Sequence, residues 1–272
     1  MSPAPSGLHG SNSPSRYCCA MSGKQKKRAR QHRRLRSTEE VRACQVTESA
    51  KRISVLDFEG APDSRVCQFA VGWLRAVFVQ ADALVRLSAA GVDYAGSPNR
   101  RSFSEIVLRL QWLHSLTDRP GAIDAMIQDE QRLGRSHLAH LESMDIEALP
   151  DFSDLEEVVT KATSDTRIRE QAKSFTAAVK ATPSSQGLFR AWREETQFTH
   201  ATGKLAVSYA PTSKGRIGRG RPFVVDNPFE SLLTTCLLAL TFVVRMLLED
   251  GAPQYTIDRL FDAYFNGVKA GL

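Results

Sequence analysis

Three observations predict an all-α fold for this chain of 272 residues. Apolar residues recur at i, i+3, i+4 and i+7 over several long stretches. No segment alternates convincingly at period two, and β-branched residues are sparse outside the helical runs. Proline and glycine fall between the periodic stretches, where helices start and stop. The expected architecture is a helical bundle of about six to seven helices. Residues 41–272 read as a single helical domain, preceded by a disordered basic N-terminal arm at 1–40.

From Asp63 to Ala90 a stripe of Val66, Phe69, Ala70, Trp73, Val77, Leu84 and Leu87, broadened by Leu74, Phe78 and Val85, predicts a central helix ended by Gly91. Ser97-Pro98 opens the next helix. Its face is Phe103, Ile106, Val107, Leu110 and Leu113, and it stops before Asp118-Arg119-Pro120-Gly121. A third helix, from about Ala122 to Met144, carries Ile123, Met126, Ile127, Leu133, Leu138 and Leu141 on an otherwise polar surface and is expected at the edge. Residues 145–152 read as a linker broken by Pro150. Ser153 to Glu156 has the form of a capping box, and one or two exposed helices are expected within 153–181. After a break at 183–187, Leu188 to Tyr209 reads as one helix that Pro211 ends. A Gly-rich basic loop follows over 211–226. Asn227-Pro228 opens a helix at 228–249, and Pro253 opens the last, 253–270.

The charge is divided unevenly. Nine of the 36 Lys and Arg residues lie in 1–36, with no Asp or Glu beside them, so the remaining 27 face 30 acidic residues. The body is mildly acidic, and any attraction to polyanions argued from the net charge of +6 belongs to the arm. Residues 24–36 are a candidate contact for nucleic acid or anionic lipid. No aromatic residue interleaves them, so base stacking is not suggested, and a solvated tail is the plainer reading.

The five cysteines form no Cys-x-x-Cys spacing, and Cys67 and Cys236 fall in apolar helical runs. A disulfide framework or zinc site is not expected, and a reducing cytoplasm fits. The N-terminus lacks the apolar run of a secretory signal. Leu232 to Leu248 is almost wholly apolar, but Thr234, Thr235, Thr241 and Arg245 interrupt it. A bilayer span needs ~20 apolar residues, so this stretch is read as a core helix and no membrane span is expected.

Two polar constellations have chemical content. Arg193 and His200 lie seven residues apart in a stretch read as helix, which would put both side chains on nearly one face. Such an arginine can stabilise charge on a scissile phosphate, and such a histidine can act as general acid or base on RNA without a metal. The structural alternative has His200 hydrogen-bonded within the bundle and Arg193 paired with a carboxylate such as Glu105 or Glu195. Arg101 and Glu105 form a second pair, at i,i+4, expected either as an exposed ion pair or as a satisfied polar cluster facing His200. Lys214, Arg216, Arg219 and Arg221 in the Gly-rich loop are candidate phosphate contacts. The glycines at 215, 218 and 220 do not form a phosphate-binding loop, because neither Gly-x-Gly-x-x-Gly nor Gly-Lys-Ser/Thr is present there. His137 and His140 are spaced as half a metal site but lack further ligands, so solvated histidines are expected. No metal or cofactor is implied, and no Gly-x-Ser-x-Gly element supports a serine hydrolase.

The helix with Arg101-Ser-Phe-Ser-Glu105 and Trp112-Leu113, followed by one with Phe198-Thr-His200, resembles a bacterial helical domain family of unknown function over about 65–250. That resemblance implies a helical fold and some importance for Arg101, Glu105 and His200, but no reaction. The Arg-x6-His spacing at 193–200 also resembles the higher-eukaryote-and-prokaryote-nucleotide-binding (HEPN) helical ribonucleases, in which such a helix pairs with its twin in a dimer. Glu194 departs from that pattern. Two functional expectations stand: a regulatory or interaction module with a protein partner or a homodimer, and a metal-independent ribonuclease of toxin or phage-defence type.

Overall fold

The structure, a computed structural model, describes residues 37–145, 163–213, 215–218, 220 and 228–270. Residues 1–36 of the basic arm, 146–152 of the expected linker, the capping box at 153–156, and Lys214, Arg219 and Arg221 lie outside the described residues, while residues 38–40, expected in the disordered arm, are helical.

The protein is all-α. The described residues form ten α-helices: α1 Thr38–Ser54, α2 Arg65–Ala89, α3 Ser97–Ser115, α4 Arg119–Glu142, α5 Thr166–Lys173, α6 Phe175–Ala181, α7 Gln186–Thr199, α8 Gly203–Tyr209, α9 Pro228–Glu249 and α10 Gln254–Ala270. The helices outnumber the expected six to seven chiefly because the polar stretches between α4 and α9 break into short pieces.

The long apolar helices make the centre. In α2 the buried face is Ala70, Leu74, Val77, Phe78, Ala81, Leu84 and Val85, while Phe69 and Trp73 are only partly buried at its margin. Ser64 caps its first turn by accepting from the Cys67 backbone N–H. The helix α9 packs on α1, α2 and α3 and buries Phe229, Leu232, Cys236, Ala239, Leu240, Val243, Met246 and Leu247. Among the described residues it is the one helix long and apolar enough to cross a membrane, and here it is a core element. The end of α9 is tied to the start of α2. The Ser64 hydroxyl donates to the Asp250 carboxylate, and the Cys67 thiol donates to the same carboxylate at 3.1 Å.

The structure corrects three local expectations. The helix α1 had no counterpart in the sequence pattern; it lies against α2 and, most extensively, against α10. There Ser49 Oγ donates to the Tyr264 carbonyl at 3.1 Å, and Gly267 lets the two backbones approach closely. The helix α4 is not an edge element throughout, since Gly121 to Ile127 are all buried and Arg65 pairs with the buried Asp124. The Gly-rich loop contains a short hairpin in which β1 Thr212–Ser213 pairs antiparallel with β2 Arg216–Ile217, Thr212 opposite Ile217. Farther along, Gly220 lies so close to the Ser208–Tyr209 backbone that a Cβ would collide with it.

Candidate functional site

The candidate site lies where α7 docks on α3. Two neighbouring faces of α3 are used. Arg100, Phe103 and Ser104 line a cavity at i, i+3 and i+4, while Arg101 and Glu105 lie one residue further round. On α7, Leu188, Ala191 and Glu195 face the cavity, and Phe189 and Trp192 face the α3–α6 side.

Trp192 is the anchor of α7. Its ring lies 4.6 Å from Phe175 and stacks on Phe189 at 5.6 Å. Its Nε1–H donates to Glu105 Oε2 at 2.9 Å, and the Arg101 guanidinium sits 5.3 Å from its centroid. Arg101 and Glu105 are therefore joined through a tryptophan from another helix, rather than by the i,i+4 ion pair considered above. Arg101 also approaches His200, Nη1 to Nε2 at 3.1 Å. Arginine has no acceptor, so in this contact Nε2 accepts and the proton of the neutral ring sits on Nδ1. His200 thus lies against the helix bearing Arg101 and Glu105, at an exposed position.

Arg193 does not join this cluster. The helix ends at Thr199, and His200 has extended backbone (φ −108, ψ 163), so one continuous helical face does not carry both residues. The cause is local. Thr202 caps α8 by accepting from the Leu205 N–H, while its own hydroxyl donates back to the Gln197 carbonyl at 2.5 Å. Arg193 is exposed, its guanidinium 5.9 Å from the Phe189 ring. The Arg190–Glu194 pair at 3.0 Å occupies the same solvated side of the helix.

The sequence reading missed the other half of the site. Arg100 Nε donates to Glu195 Oε1 at 2.6 Å, with both side chains only 14% exposed. Its Nη1 donates to the Asp93 carbonyl at 2.9 Å and its Nη2 to Ser97 Oγ at 3.0 Å. The second oxygen of Glu195 is buried and has no hydrogen-bond partner among the described residues. The pair forms one wall of a cavity of about 260 Å³ between α2, α3, α7 and α9, whose apolar lining is Leu84, Leu87, Phe103, Leu188 and Leu232. A Leu, an Ala, a Trp and a Glu at i, i+3, i+4 and i+7 of α7 (Leu188, Ala191, Trp192 and Glu195) were the available signal, but nothing in the sequence tells which helix they meet.

Of the remaining candidates, Arg216 is exposed in β2, and Lys214, Arg219 and Arg221 lie outside the described residues. His137 and His140 are exposed on α4, and no group of three His, Cys, Asp or Glu side chains gathers as a metal site among the described residues. Cys67 and Cys236 are buried with free thiols. Burial, and less strongly its contact with Asp250, raises the Cys67 thiol pKa to about 11, so it stays protonated and is no nucleophile at neutral pH.

No family model, curated protein or solved structure matches this chain.

Proposed function

We propose that this is a cytoplasmic regulatory or interaction module, without enzymatic activity, in which α7 is the element that responds. One observation carries the reading. The helix α7 buries no side chain fully, yet it roofs a cavity and is held to α3 by a compact set of aromatic and charged contacts centred on Trp192. Regulatory elements are drawn from the least stable parts of a fold, where few apolar contacts oppose local opening. The helix α8, which likewise buries no side chain fully, would move with it. The basic segment 24–36 would supply attraction to a polyanionic partner such as nucleic acid.

The ribonuclease reading, with its resemblance to the HEPN enzymes, keeps one specific support. His200 is exposed beside the cation Arg101, an acid–base group next to a charge stabiliser. Against it, the Nε2 lone pair that a general base needs is engaged by Arg101, and Arg193 points elsewhere.

Native-state hydrogen exchange and an RNA-cleavage assay in chelator, run on the same protein, separate the two. The module reading expects amides of 186–209 to exchange through a local opening well before those of α2 and α9, with no cleavage of RNA. Cleavage that His200→Ala or Arg193→Ala removes at an unchanged thermal midpoint would put the enzyme in its place.

A further inference from the structure

A second pocket, of about 330 Å³, lies where α5 packs on α4, and charge of one sign collects in its described lining. Arg132 and Arg135 stand one turn apart on α4, and Arg169 and Lys173 one turn apart on α5. Each helix therefore turns a pair of cations to the same space. All four occupy exposed positions, so a solute entering the pocket meets them. Asp129 is the one acid in the described lining, and it is buried. Its Oδ1 accepts from Arg132 Nε at 3.1 Å and from Nη2 at 2.8 Å, which fixes that guanidinium. The rest of the five guanidinium donors are left over by this pair. Glu130 is outside the lining and acts on Arg109 of α3. Four cations against one carboxylate leave three net positive charges around the pocket. Gathering like charges opposes the docking of α5 on α4, and an anion between them reverses the sign of that effect.

We propose that the pocket between α4 and α5 binds an oligophosphate, an anion with at least two linked phosphoryl groups, and reads it through those groups alone. Each arginine presents a planar fork that matches phosphoryl oxygens two at a time, and lysine adds a point charge. The donors arrive from two facing helices. A phosphoryl group spreads its oxygens tetrahedrally and can meet donors from both sides, whereas a carboxylate holds its two oxygens in one plane. Side chains a turn apart on a helix are about 5–6 Å apart at Cβ, so the four heads span more than a single phosphoryl group. The surplus of positive charge likewise suits a multiply charged anion. Besides its charged groups the described lining is Ala125, Gln128 and Gln131, with no aromatic or broad apolar wall on which a base could stack. No residue of α7 lines this pocket, so the site stands or falls apart from the behaviour of that helix.

The probe is pyrophosphate, titrated into the full chain at constant ionic strength without divalent cations and followed by backbone amide NMR shifts. Amides of 125–135 and 166–173 should shift saturably. Orthophosphate and citrate should bind there about tenfold or more weakly, the effect of losing one charge-assisted hydrogen bond. ADP should match pyrophosphate within about threefold, because the base is not read. Arg169→Gln and Lys173→Gln should each weaken pyrophosphate about tenfold, and together roughly a hundredfold, with the rest of the spectrum unchanged. Lys26→Gln with Lys27→Gln, in the basic arm, should leave the affinity at these amides intact, which separates the pocket from general attraction of anions to the arm. Absence of a saturable shift at the pocket, citrate or orthophosphate equal to pyrophosphate, or full binding by the folded double variant of Arg169 and Lys173 would each overturn the proposal. So would loss of the pocket shifts in the arm variant. ADP bound far more tightly than pyrophosphate would overturn recognition by phosphates alone.

Discussion

Replacing Trp192 with alanine should release α7 from the bundle. Truncating a fully buried tryptophan costs ~3–5 kcal/mol. Trp192 is only partly buried, so its packing against Phe175, Phe189 and Arg101 is taken at about 2 kcal/mol. Loss of the Nε1–H donor to Glu105 adds about 1.5 kcal/mol, the low end for a hydrogen bond to a charged group. Alanine returns about 0.5 kcal/mol through its better helix propensity. The net is about 3 kcal/mol, which raises the open population of α7 by a factor of roughly a hundred. Hydrogen exchange with mass-spectrometric readout should show that increase across peptides of α7 and α8. Peptides of α2 and α9 should accelerate less, since the core loses no more than docked α7 had contributed. Trp192→Phe keeps a ring but loses the donor, and should give about half the effect. Equal acceleration throughout the chain would refute the reasoning, because α7 would then belong to one cooperative unit with the core. So would unchanged exchange in α7.

Three further outcomes follow from the packing. The His114 ring packs, tilted, 5.3 Å from that of Phe242, and burial first, then Arg119 and Arg245, hold its pKa below the ordinary 6.5 against the opposing Glu249. As pH falls below about 6.5 the unfolded chain takes up this proton before the folded one does, so His114's contribution is full above that pH and is lost on acidification. The acid-side fall in denaturation free energy should be shallower in His114→Gln, and an identical profile would count against the assignment. Gly267→Ala places a Cβ 2.5 Å from the Cα and N of Ser49. It should lower stability by roughly 1–3 kcal/mol in denaturant titration although alanine is the better helix former, and a stabilised variant would contradict the observed approach of α1 and α10. Cys67 should resist iodoacetamide in the native protein at about pH 8 and react on unfolding, and fast native alkylation would show that the corner holding Asp250 is open.

Sequence reading went furthest where apolar periodicity was strongest. The helices α2 and α9 are long and leucine- and valine-rich, and Gly91 after the one and Pro228 at the start of the other mark limits that the sequence shows. The helix α1 was invisible because its inward face includes Gln45 and Ser49 beside Val46, Ala50 and Ile53, so the stripe has weak contrast. The division of 188–209 turned on a single cap, Thr202 followed by Gly203, inside a pattern that otherwise continues. At the site, His200 meets Arg101 and Trp192 joins Arg101 to Glu105, because helices sharing a core bring their margins together, but His200 is exposed just past the end of its helix rather than on an inward helical face. Which partners they take was not legible. The contacts of Trp192 and Glu195 with α3 span 87 and 95 residues of chain, and no local spacing encodes them. Arg100 and Arg101 are neighbours in sequence, yet one is locked beside a cavity and the other stacks on an indole.

The seating of α1 against α10 sets a timetable for the nascent chain. Ser49 and the Tyr264 carbonyl that it bonds are 215 residues apart. At a synthesis rate of roughly 5–20 residues per second, α1 leaves the ribosome roughly 10–40 s before its main partner exists. Over that interval Val46, Ala50 and Ile53 have only α2 and, later, α9 to cover them. The bundle therefore closes from its ends, late, and its first helix is the segment for which a holding chaperone has the longest opportunity.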